Sequence, residues 1–178
     1  LLRILGYETD NAYTEPFVVN AEAEPIEMIP VRHILRRGSQ VKMLIMEMQH
    51  LIPVGEQEPA GLFEQQYESE PDRNTGVQRY NAGQWEFVFK LDRNQYKISP
   101  AIINKAITQL FLMPDEHRPH FILMLAGNTV FLFDQDKWSH GSYLQFSLDE
   151  LFTQARVPAF RLYFALFHLL LSKQTLAA

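Results

Sequence analysis

The chain has 178 residues, 47% of them hydrophobic and 12% aromatic, which suits one domain with a real core and excludes a chain disordered throughout. A formal charge of −5 excludes a generally basic nucleic-acid-binding surface, although a local basic patch is compatible with an acidic average. Cysteine is absent, which excludes disulfides and thiolate metal sites and agrees with a cytoplasmic location; no apolar run approaches the roughly 20 residues of a membrane span and no signal peptide opens the chain, so no membrane is expected among its partners.

The opening LLRILGY reads as the last turns of a helix ended by Gly6, and the missing initial Met reads as a piece of a longer protein. After a polar stretch, residues 17–20 suffice only for an edge strand or an extended loop. Residues 26–35 are apolar and β-branched, Arg36-Arg37-Gly38-Ser39 supplies a turn, and residues 41–48 continue extended, which predicts a hairpin. Pro30 has no amide to donate, so it predicts an edge position or a bulge in the first strand. Residues 51–83 hold Pro53, Gly55, Pro59, Gly61, Pro71, Gly76 and Gly83 among many Glu and Gln, the pattern of an inserted, partly mobile loop.

Trp85, Phe87, Phe89 and Leu91 alternate with Glu86, Val88 and Lys90, a period of two that predicts a strand. Ser99-Pro100 suits the cap and first position of a helix over 101–112, with Ile102, Ile103, Ala106, Ile107 and Leu110 on one stripe. Residues 119–138 carry two apolar runs, 121–125 and 130–133, around Gly127-Asn128, a hairpin whose faces are both apolar and must both be covered. A short strand over 143–146 follows, and Ser147 then caps a short helix with Asp149 and Glu150 in its first turn. Pro158 opens a last helix to about residue 173, apolar nearly all round, which either crosses the domain or leads into another. The division expected is a domain over 1–157 and a helix over 158–178.

Few side chains suggest chemistry. Asp134 and Asp136 beside Lys137 form either a metal pair with a helper cation or the polar end of a buried strand over which Trp138 packs. The histidines, His33, His50, His117, His120, His140 and His168, show no H-x-x-x-H spacing, which argues against zinc; His168 reads as a core histidine or an interdomain hydrogen-bonder. Arg32, Arg36, Arg37 and Lys42 read as a basic turn on the first hairpin, suited to DNA phosphates or to an edge that blocks strand pairing.

The order helix, strand, strand, insertion, helix, strand, strand resembles the αβββαβ core of the PD-(D/E)xK nuclease fold. In that family a strand hairpin presents an Asp and then E-x-K to one or two Mg²⁺ ions, because two carboxylates must hold a hard cation and a Lys must polarise the attacking water. Here the strand ends Met46-Glu47-Met48-Gln49, with Gln49 in place of the Lys, and no Asp lies between Asp10 and Glu47, which leaves Glu27 as the one carboxylate to stand in. The resemblance implies a restriction-endonuclease-like α/β (α+β) fold with a mixed central sheet flanked by helices, and a degenerate site at Glu27, Glu47 and Gln49. Mg²⁺ is implied only if that site is active. The bland reading of Glu47 is a polar residue at the solvent end of a strand.

A second stretch, RPHFILMLAGNTVFLFDQDKWSHGSYLQFSLDELF over 118–152, is similar to a run near the N-terminus of large bacterial restriction-modification proteins with a fused adenine-specific DNA methyltransferase, the type IIG kind and their phage-defence relatives. Its motifs are D-x-x-K-W at Asp134 to Trp138, G-x-Y-L-x-F at Gly141 to Phe146, and Asp149-Glu150-Leu151-Phe152. Their Asn-Pro-Pro-Tyr/Phe signature does not occur here. The resemblance therefore implies S-adenosylmethionine and methyl transfer for the parent polypeptide only, with DNA and a downstream methyltransferase domain as partners. An active endonuclease domain and a docking module without DNA contact are the alternatives.

Overall fold

The computed structural model describes residues 2–3, 5–7, 15–50, 67–71, 77–82, 85–90, 96–99, 102–153 and 158–176. Among the described residues the regular elements before residue 100 are all strands: β1 (Glu15–Asn20), β2 (Ile26–Val31), β3 (His33–Arg37), β4 (Gln40–His50), β5 (Tyr67–Pro71), β6 (Val77–Ala82), β7 (Trp85–Lys90) and β8 (Tyr96–Ile98). The second half mixes α1 (Ile103–Phe111), β9 (Phe121–Ala126), β10 (Thr129–Asp134), α2 (Gln135–Trp138), β11 (Leu144–Ser147), α3 (Leu148–Thr153), α4 (Pro158–Leu171) and α5 (Lys173–Leu176). The fold is mixed α/β, as its sequence leads one to expect.

The predicted hairpin over 119–138 is β9 and β10, paired from Ala126↔Thr129 to Phe121↔Asp134 around a turn in which Gly127 takes φ 58°. That left-handed conformation is open to glycine at little cost. β9 lies parallel to β4, from Met43↔Phe121 to Met48↔Ala126. Parallel neighbours need a crossover, and α1 lies between them in the chain. The large sheet runs β11-β10-β9-β4-β7-β6-β5, with β3 also on β4. Since β9 occupies one edge of β4, β3 and β7 share the other: β3 pairs from Gln40 to Ile45, and β7 takes over at Gln49 and His50.

Both faces of the central strands are covered. One buries Val41, Leu44, Met46, Ile122, Met124, Phe131 and Phe133 under α1 and β2, and the other buries Met43, Ile45, Leu123, Val130 and Leu132 under α3, α4 and α5. The parity of β4 slips at Lys42, because Leu35 pairs with Met43 and Arg36 with Val41, leaving Lys42 as the extra residue of a bulge. Each fully buried aliphatic side chain contributes about 1.5–3 kcal/mol. Helix α1 buries Ile103, Ala106, Ile107, Leu110 and Phe111, a single stripe.

Tyr7 fastens the N-terminal turn to the second face: its hydroxyl donates to the Leu171 carbonyl at 2.7 Å, and burial pushes its pKa well above the ordinary phenol value. The turn itself ends as a helix does, with Gly6 at φ 84° and hydrogen bonds Gly6 to Arg3 and Tyr7 to Leu2.

Five expectations need correction. Residues 26–35 are not one strand of a hairpin: β2 leaves the large sheet at Arg32 and joins a three-stranded sheet, β1-β2-β8, where β8 is parallel to it. Pro30 falls beyond the β8 ladder, which ends at Met28, so its missing amide breaks no pairing there. Ser99 does not cap α1: the helix begins at Ile103 with Ile102 before it and no side-chain cap, while the Ser99 amide donates to the Met28 carbonyl as β8 ends. The stretch 51–83 is not all loop, because β5 and β6 lie within it as a ribbon leading to β7. The last helix is not covered all round, and His168 is exposed rather than in the core. The rest of 51–83 and Pro100 lie outside the described residues. Among those residues no helix is long and apolar enough to cross a membrane.

Asp134 caps α2 by accepting the Asp136 amide, so it is the polar end of a strand rather than half of a metal pair. Trp138 packs edge-on against Phe133 and donates Nε1–H to Thr108. Ser147 receives the Glu150 amide at 3.4 Å at the start of α3.

Candidate functional site

Between Ile45, where β3 begins its pairing, and Gln49, where β7 takes over, one edge of β4 has no partner strand in either ladder. Glu47 lies in that notch. β2 departs at the same point, and the residue at the departure is Arg32, whose amide still donates to the Ile45 carbonyl at 2.6 Å. The Arg32 side chain turns into the notch and places Nε 3.1 Å from Oε2 of Glu47. The distance makes an ion pair, yet Nε is buried without a hydrogen bond of good geometry, so the carboxylate sits off the N–H line. Arg32 is 19% exposed and Glu47 47%. A pair this open to solvent contributes at most about 1 kcal/mol. It links the residue that joins β2 to β3 with β4.

The basic turn is divided by this geometry. Arg36 and Arg37 are exposed at the end of β3, with Arg36 Nη1 donating to the Ser39 carbonyl at 3.3 Å. Lys42 is half-buried in the bulge, and its carbonyl accepts the His120 amide. Arg32 is four strand positions from Arg36, about 13 Å along β3, and serves the notch instead. Glu27 is half-buried at the start of β2, in the smaller sheet, with Asn20 and Lys97 as its cross-strand neighbours. The backbone of Gln49 pairs with Glu86; its side chain lies outside the described residues.

The sequence reading missed Arg32 as the partner of Glu47. Antiparallel pairing keeps the sum of paired numbers constant, and His33↔Ile45, Ile34↔Leu44 and Leu35↔Met43 place residue 32 beside 46 and 47. A turn at 38–39 would have given that neighbourhood within a residue.

A divalent cation does not suit this donor set. Glu47 already faces a guanidinium, Gln49 brings no charge, and among the described residues no group of three His, Cys, Asp or Glu side chains could hold an ion.

A second feature is the outer side of α4. Tyr163, Phe164, Phe167 and Leu171 pack on the large sheet, while Leu162 is 66% exposed, Leu169 60%, Leu166 43% and Leu170 36%. Leu162, Leu166 and Leu169 follow the four-three spacing of a seam that a second helix covers. Comparison with protein-family models, with curated proteins and with solved structures yields no match to this chain.

Proposed function

We propose that this chain is a restriction-endonuclease-like domain of a bacterial restriction-modification or phage-defence DNA methyltransferase, degenerate at its own metal site, which holds DNA or the neighbouring domains in the cytoplasm. The observation carrying the reading is the arrangement β3-β4-α1-β9-β10, with β5 to β8 inserted between β4 and α1: an antiparallel strand, the Glu47-x-Gln49 strand, a crossover helix, then a parallel neighbour with its hairpin partner. The similarity over 118–152 supports it independently. S-adenosylmethionine belongs to the parent polypeptide. DNA contact would fall to the exposed Arg36 and Arg37 at the hairpin end.

The exposed leucine seam of α4 favours a second reading, a docking module that binds a helix and no DNA. Fluorescence anisotropy of a labelled duplex separates the two. The first reading expects binding that weakens steeply between about 50 and 200 mM salt, a salt slope about one smaller for each of Arg36→Ala and Arg37→Ala, and no cleavage with Mg²⁺ or Mn²⁺. No binding at low salt leaves the docking module, and metal-dependent cleavage revives the active nuclease.

A further inference from the structure

We infer that the Arg32 side chain occupies the place beside Glu47 that a second metal ligand would need, so that the notch carries a cation of its own and the native chain is metal-independent at this place. The inference rests on the nuclease-like reading for its sense, but its geometry is independent of that reading.

The Arg32 side chain reaches Nε through Cβ, Cγ and Cδ. A glutamate at the same position reaches a carboxylate oxygen through the same number of bonds, so its oxygen falls where Nε now lies, 3.1 Å from Oε2 of Glu47. Two oxygens at that separation can share one ion, because Mg²⁺ sits at about 2.0–2.1 Å from each ligand. Hydration of the remaining positions requires solvent access, and Glu47 is 47% exposed. Nε of Arg32 is buried and lacks a straight hydrogen bond, as expected of a group placed by charge rather than by hydrogen-bond direction.

Among the described residues no second cation lies in the notch to neutralise an added acid: Arg36 and Arg37 lie at the far end of β3, and Lys42 lies in the bulge. With arginine present the site is charge-balanced. Removing that charge and adding a carboxylate leaves two acids side by side, which either repel or take up a metal.

The test titrates Mn²⁺ and Mg²⁺ into the native chain, Arg32→Glu, Arg32→Gln and the double variant Arg32→Glu with Glu47→Gln, with no nucleic acid present, reading bound Mn²⁺ by electron paramagnetic resonance and Tm by calorimetry. The native chain is expected to show no saturable binding and no Tm shift. Arg32→Glu is expected to bind Mn²⁺ with Kd about 10⁻⁴–10⁻³ M, with a lowered Tm in EDTA that rises on adding metal. Glu47→Gln in that background should weaken binding by about 10–100-fold. Arg32→Gln keeps an oxygen at the same place without the repulsion, so it reports even if Arg32→Glu does not fold; it should bind more weakly than Arg32→Glu and more tightly than the native chain. Saturable binding by the native chain overturns the inference, as does an Arg32→Gln that binds no better than native. A failure to bind DNA would count against the proposed function and leave these results unaffected.

Discussion

Phe133→Ala is expected to lower the unfolding free energy by about 3–5 kcal/mol, the range for removing a fully buried phenylalanine. Phe133 is 0% exposed on β10. Its ring meets Trp138 edge-on at 5.3 Å, stacks on Phe131 at 6.1 Å and lies 5.7 Å from Tyr143. Such aromatic pairs contribute about 0.5–1.5 kcal/mol each beyond the area they bury. Trp138 in turn touches Phe111 at 6.4 Å and donates to Thr108, so Phe133 links the hairpin to α1 through α2. The rings around the resulting void come from β10, α2 and the turn before β11, which limits collapse and places the cost near the top of the range. Chemical denaturation with an unchanged m-value would register it, and a loss under about 1 kcal/mol would show that this cluster is not packed as described.

Phe167→Ala and Leu169→Ala are expected to differ sharply although they lie two residues apart on one helix. Phe167 is 2% exposed and packs edge-on against Phe146 at 5.2 Å, so its truncation should cost about 3–5 kcal/mol. Leu169 is 60% exposed, and its truncation should change stability by no more than about 0.5 kcal/mol. Equal losses at the two positions would mean that the outer face of α4 is covered in the isolated chain. The contrast therefore also tests whether the leucine seam is free for a partner helix.

What could be read in advance depended on whether a residue's structure is set nearby or far away in the chain. The β9–β10 hairpin was legible because Gly127-Asn128 stands between two apolar runs, and the period of Ile103, Ala106, Ile107 and Leu110 gave α1. The start of α1 was not legible, since Ser99-Pro100 has cap chemistry but Ser99 belongs with the end of β8, its amide donating to Met28, a partner 71 positions earlier that no local pattern announces. The split of 26–35 failed for a similar reason: Arg32 is one of three polar residues in that run, with Glu27 and His33, and its role is set by Ile45 and Glu47. β5 and β6 are polar on both alternations, so no apolar rhythm marked them, and their backbone pairing defines them. In α4 the composition is apolar on every side, and composition alone could not say that Phe167 is covered and Leu169 bare.

Of the candidate site, the place of Glu47 on an extended strand and the basic end of the first hairpin at Arg36 and Arg37 were legible; that β4 runs on past Glu47 to His50, and that Arg32 converges on Glu47, required the register. The same register supports the nuclease-like reading, because it makes β4 and β9 parallel neighbours across the α1 crossover.

Engineered cysteines test that adjacency most directly, since the chain contains none of its own. Glu47 and Leu125 are register partners on β4 and β9. Neighbouring strands lie about 4.7–4.9 Å apart, within the Cα separation of about 4.4–6.8 Å that a disulfide spans. Glu47→Cys with Leu125→Cys is expected to form an intramolecular disulfide under mild oxidation, with both thiols lost from the monomer. Glu47→Cys with Phe121→Cys, displaced by about 13 Å along β9, should keep its thiols free. Cross-linking in the second pair but not the first would place the strands in another direction or register and remove the basis for a nuclease-like core.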